Sequence, residues 1–477
     1  MWRFFKDFLI YGFASVLGKI AAIFLMPIYT SILTKEEYGA MALILSAGGI
    51  IDLVSNLNIH SGIARDYYEE GVERKKLVST GFFSILGISF FVLTVTFFTR
   101  HFWACSVLGL EEKFLYAFTV FLFTIPVGSL QSYFAILTRY KKKPILFSVG
   151  SIVKLVVQLA ISIYGVIILR AGIISIFVGT FISDVLGVLY FGYINKVYIS
   201  FSFDRRMLKR ALVFSIPTLP AILAGWIDSS FGQVLVGRNV SMSELGVYSI
   251  ALSLSSVFTL ISIAFQNVWS PFLYENFKNI NFKDSIQKLF IAVAVALICI
   301  SVVLSLFSHE IVLLLSNEGY LGACRYITLL CIPMSFYLLF PFVSSGVSIS
   351  RDTKYIGISY VVGSFVNVVL LFILIAKLGV VAVPLSLAAS RITAYTILYK
   401  VSERKIKYSL PNYLMVILVA VVIVCYYVVC LNLGLVIRVI ASVAIIALLC
   451  SILEIKYHIK DFISQLYVNR MSRFSRK

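Results

Sequence analysis

Long apolar stretches, separated by short polar or charged segments, occupy most of the chain. An α-helix needs about 20 apolar residues to cross a bilayer. Runs of this kind predict membrane-spanning helices at residues 8–33, 39–61, 78–99, 114–138, 145–169, 173–194, 211–236, 245–270, 287–308, 326–349, 356–376, 379–400, 412–431 and 435–456. The connecting segments are short and leave no room for a soluble domain. The pattern therefore predicts an all-α integral membrane protein of about fourteen transmembrane helices.

The composition agrees with this pattern. The chain has 477 residues, of which 60% are hydrophobic and 13% are charged, and its mean hydropathy is +0.98. So little charge could not cover the surface of a soluble protein of this length. The first apolar stretch is too long for a secretion signal and is followed by no small-residue cleavage site, so we expect it to remain as the first span.

The positive charge is distributed unevenly among the connecting segments. When residues at a span edge are counted with the adjoining segment, thirty of the 41 Lys and Arg residues lie at the two ends of the chain or after even-numbered spans, whereas eight follow odd-numbered spans. Basic loops stay on the cytoplasmic side of a membrane. The distribution therefore predicts that both termini are cytoplasmic, and it explains the net charge of +19 without a nucleic-acid partner.

The two halves of the chain resemble each other at an offset of about 207 residues. The matching positions are Glu37 and Gly39 with Glu244 and Gly246, Pro126 with Pro333, and Gly172 with Gly379. Six spans per repeat is an even number, so both repeats have the same orientation, with a pseudo-twofold axis along the membrane normal. We expect a six-helix N-terminal lobe (1–196), a basic cytoplasmic linker (197–210), a six-helix C-terminal lobe (211–402), an added helix pair (403–456) and a basic cytoplasmic tail (457–477).

Charged residues inside the predicted spans are candidates for function, because a charge within a bilayer is costly. Three are basic and three are acidic: Lys19, Lys154 and Arg391, and Asp52, Asp184 and Asp228. Lys19 lies more than ten residues from the inner end of its span, on a helix face of small and polar residues. This position favours a watery cleft over a side chain that extends along its stem to the membrane interface.

Two further groups of these residues allow more than one interpretation. A polar stripe in the fifth span indicates either a cavity wall or an interhelical hydrogen-bond seam, and it consists of Ser151, Lys154, Gln158 and Ser162. Asp184 and Arg391 occupy equivalent repeat positions with opposite charge, and we favour structural ion pairs with neighbouring helices for both.

The seventh span contains Pro217 and Pro220, which remove backbone donors and predict a kink or an opening. Such a helix is a candidate gate, with Asp228 and the second-span Asp52 as candidate proton or sodium sites. The alternative is a packing kink with a hydrogen-bonded aspartate. Polar residues also mark the inner halves of the second and eighth spans, among them Asn56, Gln266 and Asn267. They predict a vestibule lined by both lobes.

The sequence contains no motif of an enzyme active site. We find no phosphate-binding glycine loop, no paired carboxylates in a long loop and no His/Cys cluster, and the four histidines are scattered. We therefore expect no catalytic residues, no metal site and no cofactor.

The beginning of the chain resembles a known family. The residues that carry the resemblance are Phe8-Leu-Ile-Tyr-Gly12, Phe24-Leu25, Pro27-Ile28, Thr30, Leu33-Thr34 and Glu37-Tyr38-Gly39. They resemble the start of O-antigen and capsule repeat-unit flippases. These flippases form the polysaccharide transporter branch of the multidrug/oligosaccharidyl-lipid/polysaccharide (MOP) exporter superfamily. The fourteen-span layout and the short turns ending in Gly172 and Gly379 are similar too.

The resemblance implies a V-shaped, MATE-like transporter with two lobes. Its cationic central cavity would take the head of an undecaprenyl-pyrophosphate-linked oligosaccharide and pass it, by alternating access, to the outer face of a bacterial inner membrane for surface polysaccharide synthesis. Lys19 lies where related flippases place a basic residue, and Lys154, Arg391, Arg65 and Arg139 are further cationic candidates. Expected partners are the lipid bilayer, a polysaccharide polymerase and a chain-length regulator, with a proton or sodium gradient as the energy source.

Two alternatives come from other functional classes. A cation-coupled multidrug or metabolite antiporter would share the fold, but such proteins usually have twelve spans. A membrane enzyme, such as a repeat-unit polymerase or a glycosyltransferase, generally needs a long outward loop, and the longest one here, at 309–325, is too short. The sequence therefore favours a flippase.

Overall fold

The computed structural model describes residues 2–277 and 282–457, and all regular secondary structure within these ranges is helical. The side chains of residues 1–16, 267, 270, 446 and 448–457 are not described. The predicted basic tail, 457–477, therefore lies almost entirely outside the described residues.

Fourteen long helical segments follow the predicted spans in order. The N-lobe consists of α1 (Trp2–Ile32), α2 (Lys35–Asn56), α3 (Arg74–Phe98), α4 (Leu115–Tyr140), α5 (Pro144–Ile167) and α6 (Ile174–Asn195). The C-lobe consists of α7 (Arg205–Asn239), α8 (Met242–Asn276), α9 (Phe282–Leu306), α10 (Ala323–Ile349), α11 (Lys354–Leu378) and α12 (Ala382–Lys405). The final pair is α13 (Tyr413–Cys430) and α14 (Leu435–Tyr457).

These segments account for the predicted spans. In the described part of the chain, 11 helical segments are long and apolar enough to cross a membrane. One of them, Lys354–Lys405, contains both α11 and α12. Two shorter apolar helices, Leu17–Ile32 and Leu435–Ile445, belong to α1 and α14. The prediction of an all-α protein with about fourteen spans is confirmed.

Some boundaries differ from the prediction. The second span was expected to continue to residue 61, but α2 ends at Asn56 because Leu57 and Asn58 have left-handed backbone angles, with φ of 45° and 53°. Asn adopts this conformation more readily than most residues. A short helix, Ile59–Asp66, follows. Another short helix, Ser308–Leu315, lies in the segment expected to be a loop.

The repeat motif around Glu37 and Glu244 has a local physical reason, because both residues belong to helix caps. The Thr34 hydroxyl accepts a hydrogen bond from the Glu37 backbone N–H at 3.2 Å, and the Glu37 carboxylate accepts one from the Thr34 N–H at 2.9 Å. At the start of α8, the Ser241 hydroxyl accepts from the Glu244 N–H at 3.1 Å. Such caps satisfy backbone donors that have no partner within the helix.

The two repeats meet where α2 crosses α8, close to both caps. A methyl group added to Gly39 would lie 1.9 Å from the backbone oxygen of Met242, and one added to Gly246 would lie 2.1 Å from the backbone oxygen of Lys35. The backbones therefore touch at a position that only glycine fills. Equivalent residues contact each other in this way at a pseudo-twofold axis.

The lobes also meet at the start of α7. The Asn58 amide donates to the Thr218 hydroxyl at 2.8 Å, and the Ser215 hydroxyl donates to the Asn58 backbone oxygen at 2.9 Å. Arg210 forms an ion pair with Glu69 at 2.6 Å. The first turns of α7 are thus attached to the N-lobe, although they belong to the second repeat in sequence.

Three buried apolar clusters stabilise the structure. One contains residues of both lobes, from α1, α2 and α4 to α8 and α10. The second lies in the C-lobe and includes α13, and the third lies in the N-lobe beside the helix Ile59–Asp66. The polar sites described next lie between helices of a single lobe.

Candidate functional site

Each lobe contains a cavity with polar and charged residues in its wall. The N-lobe cavity has a volume of about 390 Å³ and is bordered by Gly18, Gln131, Arg139, Ser151, Lys154 and Gln158, among others. The C-lobe cavity has a volume of about 760 Å³, and its wall includes Asp228, Ser229, Gln233, Tyr337, Tyr360, Asn367 and Arg391. Lys154, Arg139, Asp228 and Arg391, all candidates from the sequence, therefore border one cavity or the other.

An ion pair between α5 and α6 forms one wall of the N-lobe cavity. The Lys154 ammonium lies 2.5 Å from the Asp184 carboxylate and 3.2 Å from the Gln131 side-chain oxygen. The Lys154 side chain is 25% exposed, whereas that of Asp184 is 6% exposed. The cation therefore borders the cavity and the carboxylate lies behind it.

The sequence allowed two interpretations of the polar stripe of α5, a cavity wall or a seam between helices, and the stripe lies in both kinds of environment. Ser151 and Gln158 border the cavity together with Lys154. Ser162 is buried instead, and a methyl group added to Gly179 of α6 would lie 2.5 Å from its hydroxyl. The stripe is thus a cavity wall at one end and a close helix contact at the other.

Lys19 lies on α1, next to the cavity residue Gly18, and is partly buried. Within the described residues its ammonium has no ion pair and no hydrogen bond. No carboxylate among the described residues therefore neutralises the charge of Lys19, whereas Asp184 neutralises that of Lys154.

Asp52 of α2 is an exposed carboxylate that joins two helices. Its oxygens accept hydrogen bonds from the Ser129 hydroxyl of α4 at 2.6 Å and from the Asn56 amide at 3.1 Å. Two sequence candidates, Asp52 and Asn56, are thereby brought together.

In the C-lobe, Asp228 of α7 is nearly inaccessible and has four partners. One oxygen accepts from the Ser364 hydroxyl at 3.1 Å, the Asn367 amide at 3.2 Å and the Ser390 hydroxyl at 3.2 Å. The other lies 3.3 Å from the Arg391 guanidinium. The interpretation of Asp228 as a hydrogen-bonded residue of a kinked helix fits this geometry.

Helix α7 departs from α-geometry twice. A 3₁₀ turn covers Ile216–Thr218 around Pro217, and Pro220 lies in the first turn of the next α-helical stretch. A π-helical turn covers Ile227–Phe231 and contains Asp228. The α-helix is interrupted by a 3₁₀ turn at the prolines, where the sequence predicts a kink or an opening, while the π turn was not predicted. Turns of this kind are frequent at functional sites.

One member of each ion pair occupies an equivalent position of the repeat, with opposite charge, but the two partners come from helices that are not equivalent. Asp184 and Arg391 occupy equivalent positions, and Asp184 pairs with Lys154 of α5 whereas Arg391 pairs with Asp228 of α7. In both lobes the basic side chain is more exposed than its acidic partner. The reversal therefore still presents a cation to each cavity.

A sequence model of the polysaccharide biosynthesis protein family matches residues 28–325 of the chain. The chain belongs to this family. No curated protein matches its sequence. The predicted resemblance to polysaccharide transporters is thus confirmed by a match that covers more than half of the chain.

Solved structures show how this family member is folded. The chain is similar to the lipid II flippase MurJ in an inward closed conformation, with a TM-score of 0.75 and 15% identity over 96% of this chain and 100% of that one. It is also similar to a multidrug resistance MATE family transporter of the MOP superfamily. The TM-score is 0.65 for the inward-facing form (14% identity, 81% and 97% covered) and 0.61 for the outward-facing form (14%, 84% and 94%).

At these identities the likeness establishes the fold alone. The predicted MATE-like fold is confirmed, and the apolar helices of the described residues fit a multi-pass membrane protein.

The remaining sequence candidates belong to neither of the two ion pairs, Lys154–Asp184 and Asp228–Arg391. Arg65 is exposed, and its guanidinium lies 5.2 Å from the centre of the Phe214 ring. Arg139 borders the N-lobe cavity, 4.1 Å from the Phe147 ring. Just beyond α4, burial and the neighbouring Lys143 lower the pKa of Lys141 to about 8. The end of α4 therefore combines a fixed guanidinium with an amine that titrates near neutral pH.

The predicted shared vestibule stays a prediction. Gln266 is exposed, and its amide donates to Ser262 of the same helix at 2.9 Å. The side chain of Asn267 lies outside the described residues. The Asn56 amide donates to Asp52 and its oxygen accepts from the Asn58 backbone N–H, and both of these partners belong to the N-lobe.

One buried charge escaped the sequence analysis. Arg438 of α14 forms a bidentate ion pair with Glu310, at 3.0 and 2.6 Å, and donates to the Leu306 backbone oxygen at 2.9 Å. Its side chain is 11% exposed. Arginine within the last apolar stretch was the available signal, but its position near the span edge suggested a loop residue.

Proposed function

We propose that the chain is a flippase that moves undecaprenyl-pyrophosphate-linked oligosaccharide units from the cytoplasmic to the outer face of a bacterial inner membrane. The observation that carries this proposal is the cation at the wall of each cavity, in a member of a polysaccharide biosynthesis family. Alternating access would come from rocking of the lobes, and the lipid tail would stay in the bilayer.

The N-lobe cavity is the candidate site for the pyrophosphate. Arg139 and Lys154 are the charged residues among its described lining, and Lys19 lies next to the lining residue Gly18. Fixed positive charge attracts a pyrophosphate strongly where water is scarce. Lys19 contributes most to this attraction because no carboxylate within the described residues neutralises it.

The basic segments support an orientation with both termini in the cytoplasm, where the loaded carrier is made. On the outer face the unit would pass to a polymerase and a chain-length regulator. A proton or sodium gradient is the proposed energy source. Asp52 is the stronger candidate for coupling, because it is exposed and accepts two hydrogen bonds, whereas Asp228 already has a guanidinium and three donors.

Deletion of the gene in its host tests this function. Undecaprenyl-linked sugars are profiled by mass spectrometry, and surface polysaccharide is measured in parallel. We expect complete repeat units to accumulate on the carrier inside the cell while surface polymer disappears. Arrival of single unpolymerised units at the surface would instead indicate a polymerase.

A MATE-type antiporter is the second candidate, and the observation that favours it is the buried Asp228 in the kinked helix α7. This alternative predicts an unchanged profile of lipid-linked sugars in the deletion strain and increased sensitivity to cationic drugs. The same strain therefore distinguishes the two functions.

A further inference from the structure

We propose that the C-lobe cavity binds the sugar portion of the carrier-linked substrate and selects among glycans. This inference rests on the proposed flippase function and adds a second subsite to it. Charge, lining chemistry and unpaired polar atoms each support a neutral, hydroxyl-rich ligand.

The balance of charge separates the two cavities. Among the described residues that line the C-lobe cavity, Asp228 and Arg391 are the charged ones, and they neutralise each other at 3.3 Å. At the N-lobe cavity Asp184 neutralises Lys154 at 2.5 Å, but Arg139 adds a further positive charge to the lining, and Lys19 lies next to the lining residue Gly18. A pyrophosphate is therefore attracted more strongly to the N-lobe cavity. An uncharged ligand gives up no such electrostatic attraction by binding in the C-lobe cavity.

Tyrosines give the C-lobe cavity surfaces that suit a sugar ring. Tyr337 and Tyr360 are partly exposed and lie beside Arg391, whose guanidinium carbon is 5.2 and 5.5 Å from the two ring centres. A sugar ring has a face of C–H groups and a rim of hydroxyl groups. Aromatic rings pack against such a face, and hydroxyl and amide groups at the wall bond to the rim.

Two unpaired atoms point to a hydroxyl rather than a phosphate. Within the described residues, Asn367 Oδ1 and Arg391 Nη1 are buried and have no hydrogen-bond partner, although both residues line the cavity. Asn367 Oδ1 can only accept a hydrogen bond, and Arg391 Nη1 can only donate one. A hydroxyl group can bond to either kind of atom, whereas an ionised phosphate oxygen cannot donate to an amide oxygen.

The size and position of the cavity agree with this ligand. Its volume of about 760 Å³ lies in the range of roughly 300–1,000 Å³ that is usual for sites binding compact organic ligands. Its wall includes α7 residues from Thr218 to Gln233, a segment that contains the π turn. A sugar bound there would contact the irregular part of the helix.

Binding to two lipids tests the inference. The full chain is placed in lipid nanodiscs and titrated with the host's undecaprenyl-pyrophosphate-linked oligosaccharide, and separately with undecaprenyl pyrophosphate from which the sugar has been removed. We expect Tyr337→Ala and Asn367→Ala each to raise the Kd for the glycosylated lipid about tenfold, the loss of one good contact, and to leave the Kd for the bare lipid unchanged. Arg139→Ala should weaken both.

Tyr337→Phe is the matched control, because it keeps the ring beside Arg391 and should lose less affinity than Tyr337→Ala. Thermal unfolding confirms that each variant is folded. Equal weakening of both lipids by Tyr337→Ala and Asn367→Ala, or no weakening of either, overturns the sugar site. Equal affinity of the wild-type protein for both lipids also overturns it and leaves the flippase proposal standing. Failure of the wild-type protein to bind either lipid overturns the flippase proposal as well.

Discussion

Gly39 and Gly246 are equivalent residues of the two repeats, and they lie against each other where α2 crosses α8. A methyl group added to Gly39 would lie 2.9 Å from the Gly246 backbone nitrogen, and one added to Gly246 would lie 3.2 Å from the Gly39 nitrogen. Backbone atoms cannot move aside as a flexible side chain can. The crossing therefore tolerates no side chain on either glycine.

Replacement of either glycine by alanine should hold the two lobes apart at this crossing. We expect Gly39→Ala and Gly246→Ala to lower the free energy of unfolding by about 1–3 kcal/mol, the usual cost of overpacking. Both should also reduce export of surface polymer. Thermal unfolding in detergent and complementation of the deletion strain measure the two effects.

Gly87→Ala is the control for this pair, because an added methyl group there would meet no atom within 4 Å. It should leave unfolding and export unchanged. Normal behaviour of Gly39→Ala would contradict the close crossing.

Lys19→Ala should abolish transport while folding stays intact. The ammonium has no ion pair among the described residues, so its removal leaves no carboxylate without a partner. Surface polymer in the complemented deletion strain and the elution profile of the purified variant check the two parts of this prediction. Wild-type polymer levels from a normally expressed variant would eliminate Lys19 as a binding residue.

The ion pair between Lys154 and Asp184 should show strong coupling. Lys154→Met leaves the Asp184 carboxylate buried without its cation, and breaking a buried pair in this way costs about 3–5 kcal/mol. The double variant Lys154→Met with Asp184→Asn should recover most of the lost stability but not the transport. Thermal unfolding and complementation of all three variants complete the cycle. Additive effects on stability would show that the two residues act independently.

The pair between Glu310 and Arg438 should make stability depend on pH. Burial opposes ionisation of Glu310, but the hydrogen bond and charge of Arg438, the backbone N–H of Glu310 and the neighbouring His309 together outweigh it and hold the pKa of the carboxyl below its usual value of about 4.5. A group with a depressed folded-state pKa stabilises the protein above its unfolded-state pKa. Its contribution is lost as the pH falls through the lower value.

Glu310→Gln should therefore lower the unfolding temperature at pH 7, and the difference from wild type should shrink as the pH falls below about 4.5. Arg438→Lys should also be destabilising, because lysine cannot reproduce the bidentate geometry. Glu318→Gln is the control, because Glu318 lies in the same connecting segment and forms no ion pair with the residues that the structure describes. A gap between Glu310→Gln and wild type that persists at low pH would rule out the ionised pair as its source.

The spans were predictable because each depends on local composition, and the Pro217 kink was predictable because proline lacks a backbone donor. The end of α2 was not predictable from local composition. Leu57 and Asn58 have left-handed backbone angles there, and Asn58 bonds to Thr218 of α7, which is 160 residues further along the chain. The π turn around Asp228 likewise depends on neighbouring helices.

The charged candidates were predictable one by one, but their partners were not. Asp228 and Arg391 are far apart in sequence, and nothing in the pattern of either helix says which helices face each other. The same holds for Glu310 and Arg438. A sequence shows which residues are costly to bury, whereas the packing decides what compensates for the cost.

The bond between Asn58 and Thr218 shows that the boundary between the repeats in sequence and the boundary between the lobes in space do not coincide. The predicted junction between the repeats is the linker, 197–210, but α7 stays bonded to the N-lobe further along the chain, at Thr218 and at Trp226, whose indole donates to the Ser46 backbone oxygen at 2.8 Å. In the proposed alternating access, rotation of one lobe against the other would therefore act on α7 itself rather than on the linker. The same helix is a wall of the C-lobe cavity, so the proposed sugar site and the proposed hinge would share one structural element.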